Sequence, residues 1–171
     1  MPRLFVAVWP SPDVVEMLRA IPHGRGDVRW TTEEQWHVTL RFLGRVDEAD
    51  VTALDDALVG AALQCSSAAV TLGAPLRRLG SALALTVTGL DEIAAAVIDA
   101  TSGFGQPPEP RRFQGHLTIA RSKQRRGPRS VPSPVREASW TADEITVVQS
   151  HLGQGLDRTS RYEIIRRYQL G

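Results

Sequence analysis

The chain has 171 residues, 42% of them hydrophobic and 23% charged, with a formal net charge of +1 at pH 7. That balance suits a globular protein of one domain, or of two small lobes sharing a core, and excludes a disordered tail, a fibrous repeat and a strongly basic nucleic-acid coat. No apolar run approaches the roughly 20 residues that cross a bilayer, the start reads as a strand rather than a leader peptide, and the single cysteine, Cys65, cannot form an internal disulfide. A cytoplasmic monomer is expected, with Cys65 a small filler.

Residues 3–9, Arg-Leu-Phe-Val-Ala-Val-Trp, predict a strand from their β-branched and aromatic content. Pro10-Ser11-Pro12 then predicts a helix to about Ala20, capped by Ser11 with Pro12 in its first position. Pro22, Gly24 and Gly26 break it, and a strand region follows that ends in Trp36-His-Val-Thr-Leu-Arg-Phe-Leu-Gly44. From Asp47 to about Leu63, the apolar Val51, Leu54, Leu58 and Ala62 recur at helical spacing behind Asp47, Glu48 and Asp50, acids suited to a helix N-terminus. Short strands are expected near 69–72 and 82–88, then a helix from about Asp91 to Thr101 with Ile93, Val97 and Ile98 inward. A loop rich in Gly and Pro (103–110) leads to a strand at 115–121. A polar loop with Pro128, Pro132 and Pro134 precedes strands near 144–151 and 162–170. The irregular alternation with short connections predicts an α+β fold. A helix precedes each of two similar strands, so two similar halves are expected.

Those two strands carry the same tetrad, His37-Val38-Thr39-Leu40 and His116-Leu117-Thr118-Ile119. Because side chains alternate along a strand, each His and Thr share one face while the apolar residues enter the core on the other. If the faces oppose each other, two imidazoles and two hydroxyls surround one small volume. That set suits in-line displacement at a phosphodiester: a base for the attacking water, an acid for the departing oxygen, and donors for the non-bridging oxygens. Histidine fits the first two roles because its reference pKa of about 6.5 lets one ring be neutral and the other protonated. Neither Cys-x-x-Cys nor His-x-x-x-His spacing occurs, so no metal is invoked.

On these residues the chain resembles the bacterial and archaeal RNA 2′,3′-cyclic phosphodiesterases of the 2H phosphoesterase superfamily, also described as 2′-5′ RNA ligases. The resemblance spans the opening Arg3-Leu-Phe-Val-Ala-Val8, the blocks His37–Gly44 and His116–Arg121, and the closing segment Ser150–Leu170 with Tyr162. It implies a bilobal fold over residues 1–171 as one domain, with two intertwined pseudo-symmetric lobes whose antiparallel sheets line a central cleft and whose helices lie outside. It implies hydrolysis of an RNA 2′,3′-cyclic phosphate end, on tRNA fragments for example, to a 2′-phosphomonoester without cofactor or metal. His37 would be the proton donor and His116 the acceptor, with Thr39, Thr118 and Arg121 on the phosphate. Strict alternation from His116 sends position 121 to the wrong face, so Arg121 reaches the cleft only through a bulge or a strand end. Gln114-Gly115 stands where the family often has Arg-Pro or His-Pro, and Gly115 is expected to loosen the start of that strand.

Phe5, Trp36 and Tyr162 are candidate platforms for a terminal base, whereas Phe42 falls with Val38 and Leu40 and is expected in the core. His23 and His151 lack a following x-Thr and read as surface residues. Between 111 and 129 lie Arg111, Arg112, Arg121, Lys123, Arg125, Arg126 and Arg129, a stretch able to hold an RNA backbone. Three other readings stay open: a phosphodiesterase for small cyclic nucleotides, a ligase joining 2′-phosphate and 5′-hydroxyl ends, and a non-catalytic module that binds RNA ends.

Overall fold

The computed structural model describes residues 1–23, 28–122, 136–155 and 159–171. Strand β1 (Arg3–Val8) alternates Leu4, Val6 and Val8 into the main core, with Phe5 and Ala7 on the other face. Helix α1 (Pro12–Arg19) follows, with Pro12 in its first turn. Ser11 has the extended cap conformation but no side-chain cap bond; its carbonyl accepts the Val15 N–H at 3.0 Å, so the expected cap is made by backbone alone. Next come β2 (Val28–Trp30), β3 (Val38–Arg45) and α2 (Val51–Gln64). A short 3-10 turn, Glu48–Asp50, leads into α2, and the Asp47 carboxylate accepts the Ala49 N–H at 3.3 Å.

Strand β4 (Ala68–Leu79) runs well past the expected 69–72 before turning into β5 (Ala82–Thr88). Its pairing with β5 passes through an irregular register between Leu72 and Leu76. Then follow α3 (Asp91–Ala100), β6 (His116–Ser122), β7 (Ala138–Ala142), β8 (Glu144–His151) and β9 (Arg161–Gln169). The short β2 falls at the start of the strand region expected after the first helix, whereas β7, next to a Pro-rich stretch that reads as loop, has no counterpart in the sequence reading.

Among the described residues every strand pairing is antiparallel, in the order β7-β4-β5-β6-β3-β1-β8-β9, with β2 also on β6. The two strands with the His-Thr tetrads are neighbours at the centre, joined through the single pair Val38↔Leu117. Counting outward, β3 matches β6, β1 matches β5, β8 matches β4 and β9 matches β7, giving two four-stranded halves about a pseudo-two-fold axis at the seam. Behind the seam, Val38, Leu40, Leu117 and Ile119 pack in one core with Val14 and Leu18 of α1, Leu54 and Leu58 of α2, and Ile93 and Val97 of α3. The helices thus cover one face of the sheet and leave the other to the cleft. No helix among the described residues is long and apolar enough to cross a membrane.

Candidate active site

The central pair fixes how the tetrads meet. In an antiparallel register about Val38↔Leu117, position 37 lies opposite 118 and position 39 opposite 116, so each imidazole is placed beside the other strand's threonine. His37, Thr39, His116 and Thr118 are half-buried, while Val38, Leu40, Leu117 and Ile119 are at most 4% exposed. All four polar residues line one cleft of about 420 Å³. A second hollow of about 530 Å³ shares Thr39, Phe42, His116, Thr118 and Arg121 with it and extends past Gln106, Phe113 and Gln114. Neither threonine hydroxyl has a protein hydrogen-bond partner among the described residues, so both are available to a ligand.

Each strand bulges directly after its threonine. Thr39 pairs with Ala7 and Arg41 with Val6, leaving Leu40 extra. Thr118 pairs with Ala84 and Ala120 with Leu83, leaving Ile119 extra. The last residue of each tetrad is therefore a bulge that reverses the alternation beyond it. This brings Arg121 into the cleft. It also overturns the core placement of Phe42, which lines the cleft with the Arg3 guanidinium 4.6 Å above its ring. Arg41 instead turns inward to 5% exposure, donating to the carbonyls of Phe42 at 2.7 Å and of Gln106 in the 103–110 loop.

Both histidines are anchored alike. His37 Nδ1 lies 2.7 Å from the Gln35 carbonyl and His116 Nδ1 lies 2.9 Å from the Gln114 carbonyl. A carbonyl only accepts, so each Nδ1 carries a proton and Nε2 is the atom that exchanges one. Here the sequence held an unread signal: both motifs are Gln-x-His-x-Thr. The surroundings differ. His37 is boxed by Phe5 at 4.8 Å, Trp9 at 5.3 Å and Tyr162 at 5.1 Å between ring centroids. Trp9, a residue the sequence reading missed, is held by Nε1–H donation to Thr146 Oγ1 at 2.9 Å, and that hydroxyl in turn donates to the Ala7 carbonyl at 3.1 Å. This enclosure strips water from His37 and pushes its pKa down to about 4, aided by the positive charges of His116 and Arg121 and opposed by the Gln35 carbonyl. Opposite His116 on β5 stands the small Thr86, and His116 has no ring contact among the described residues.

Of the aromatic candidates, Phe5 and Tyr162 line the cleft. Trp36 does not: it is 4% exposed in the main core, and its Nε1–H donates to Thr31 Oγ1 at 3.0 Å, which donates to the Thr118 carbonyl at 3.1 Å. Trp36 braces the back of the site and is no base platform. Gly115 tightens rather than loosens the start of β6, since its carbonyl accepts the Val87 N–H at 2.9 Å and a Cβ there would stand 2.5 Å from the Val87 oxygen. His23 is exposed and stacks on Trp30 at 4.6 Å, and His151 meets Glu163 at 2.9 Å. Lys123, Arg125, Arg126 and Arg129 lie outside the described residues. No group of three His, Cys, Asp or Glu side chains among the described residues is arranged to hold a metal.

Residues 8–154 match the profile of the 2′-5′ RNA ligase superfamily. Two relatives named RNA 2′,3′-cyclic phosphodiesterase are similar. The Geobacillus stearothermophilus protein is 27% identical over 187 aligned positions, covering 97% of this chain and 56% of that protein. The Bacillus subtilis (strain 168) protein is 28% identical over 151, covering 83% and 80%. The chain thus spans little more than half the length of the first. Among solved structures, TT0787 of Thermus thermophilus superposes with a TM-score of 0.81 at 20% identity, covering 98% of this chain and 97% of that one. E. coli LigT complexed with 3′-AMP superposes with a TM-score of 0.77 at 22% identity, covering 99% and 98%. The shared antiparallel sheet with few helices and the match over most of the chain establish that this protein belongs to the 2′-5′ RNA ligase superfamily.

Proposed function

We propose that the protein hydrolyses RNA 2′,3′-cyclic phosphate ends to 2′-phosphomonoesters by two-histidine acid and base catalysis. The observation that carries this reading is the matched pair of imidazoles in one cleft, each with Nδ1–H tied to a backbone carbonyl and Nε2 left to exchange a proton. The names of the two relatives agree with it. A water oxygen attacks phosphorus and gives its proton to Nε2 of His116. The bond from phosphorus to O3′ breaks, O3′ takes a proton from Nε2 of protonated His37, and the phosphate stays on O2′. Thr39, Thr118 and Arg121 donate to the non-bridging oxygens, whose charge grows in the transition state.

Among the protein's own groups His37 is neutral near pH 7, because its pKa is near 4. The acid role therefore requires the phosphodiester's negative charge to raise that pKa and load the proton with the substrate. The same depressed value favours one second reading, in which neutral His37 is the base, His116 is the acid and O2′ departs. The product distinguishes them: digestion of an RNA oligomer with a 2′,3′-cyclic end gives a 2′-phosphate in the first reading and a 3′-phosphate in the second. His37→Ala and His116→Ala should each lower turnover by roughly 10²–10⁴-fold while retaining RNA binding; full turnover in either would defeat the catalytic reading.

A further inference from the structure

We propose that Arg29 holds a second phosphate, the internucleotide phosphate on the 5′ side of the terminal nucleoside; the assignment rests on the reading of the cleft given above. Arg29 on β2 and Arg121 on β6 are direct cross-strand partners, which sets their Cβ atoms about 4.5–5.5 Å apart. Both are exposed and both line the cleft, whose lining holds no Asp or Glu among the described residues. No ion pair among the described residues engages either guanidinium. Like charges directly opposite one another destabilise a strand pair, and β2 is only three residues long. The pair thus stands against a repulsion that phosphate anions held by the two forks would relieve.

Position along the cleft gives the anion its identity. Arg121 lies three residues beyond Thr118, about 10 Å of strand at 3.3 Å per residue. Its long side chain has the length to reach back toward the reacting phosphate, and Arg29, directly across on the next strand, is left for the next phosphate. The other end of the cleft differs in kind: the position five residues after His37 is Phe42, capped by Arg3, a stacking wall. An RNA strand entering at the Arg29 end carries a phosphate at each nucleotide, whereas a mononucleoside 2′,3′-cyclic phosphate carries only the reacting one. Arg29 accordingly discriminates an RNA end from a free cyclic nucleotide.

The test compares kcat/KM for adenosine 2′,3′-cyclic phosphate, its 5′-phosphorylated form, and a dinucleotide ending in the same cyclic phosphate, in wild type and Arg29→Gln. One charge-assisted phosphate contact should favour both phosphate-bearing substrates by about tenfold in wild type, and Arg29→Gln should bring the ratio near one. An advantage of the dinucleotide alone that survives in Arg29→Gln would assign it to the extra base and overturn the proposal, as would a wild-type ratio near one. Calorimetry with adenosine 2′-monophosphate and adenosine 2′,5′-bisphosphate reads the same subsite without turnover, with the same tenfold preference expected in wild type and lost in the variant. If none of the three substrates is hydrolysed, the catalytic reading fails, and the ratio of the two affinities still decides for or against Arg29.

Discussion

Lowering the pH should destabilise the protein through His37, and the size of the effect follows from its enclosure. The imidazole sits among Phe5, Trp9 and Tyr162, and its pKa falls from 6.5 to about 4 in the folded chain. The unfolded chain binds a proton at this residue below about pH 6.5, whereas the folded chain resists until about pH 4, so protonation favours unfolding throughout that window. At 1.36 kcal/mol per pKa unit the difference accumulates to about 3 kcal/mol by pH 4, after which the contribution levels off. Carboxylates titrate in the same range, so the informative quantity is a difference between variants. His37→Asn keeps a side-chain N–H for the Gln35 carbonyl and cannot titrate. Urea unfolding at pH 7, 6, 5 and 4 should show wild type losing about 3 kcal/mol more than His37→Asn across the series. Inorganic phosphate should shrink that gap, because an anion against the ring stabilises its protonated form. Parallel losses in the two proteins, or an NMR titration of the His37 ring with a midpoint near 6.5, would refute the argument from desolvation.

Gly115→Ala should lower turnover by up to about 10²-fold, since a Cβ 2.5 Å from the Val87 oxygen forces the start of β6 off β5 where His116 is aimed; steady-state kinetics on a protein with an unaltered circular dichroism spectrum would check it. Arg41→Leu should cost about 2–3 kcal/mol by denaturant unfolding, because it leaves the Phe42 and Gln106 carbonyls without their donor behind the β3 bulge.

The tetrads were legible because alternation along a strand is rigid: an imidazole and a hydroxyl two residues apart must share a face, and apolar residues between them must enter the core. The same rule places Trp36 with Val38 and Leu40, so parity alone already argued against it as a base platform, and its burial follows. Phe42 shows where the rule stops. Parity sends it inward, but Leu40 is skipped in the pairing with β1, so Arg41 and Phe42 change face before Leu43 is skipped in turn. Bulges depend on the neighbouring strand's register, which no local pattern encodes. Arg121's place in the cleft was recoverable only through the family resemblance, which implies a phosphate role that strict alternation meets only at a bulge or a strand end. The enclosure of His37 was equally hidden, since Trp9 and Tyr162 reach it from the two ends of the chain and only the sheet order β3-β1-β8-β9 brings them together.

The pseudo-two-fold axis through Val38↔Leu117 would by itself give two equivalent histidines and no division of labour between them. What separates them is the residues at matching positions in the two halves. Phe42 and Arg121 each follow their histidine by five residues and are each turned into the cleft by the same bulge, yet one presents a ring and the other a fork of donors. Phe5 and Tyr162 crowd His37 with aromatic faces, where β5 offers His116 the small Thr86. The unlike walls desolvate one ring and leave the other among small neighbours, while the identical tetrads place both in one cleft. Symmetry of the backbone places the two imidazoles; asymmetry of the packing sets His37 apart by taking water from it.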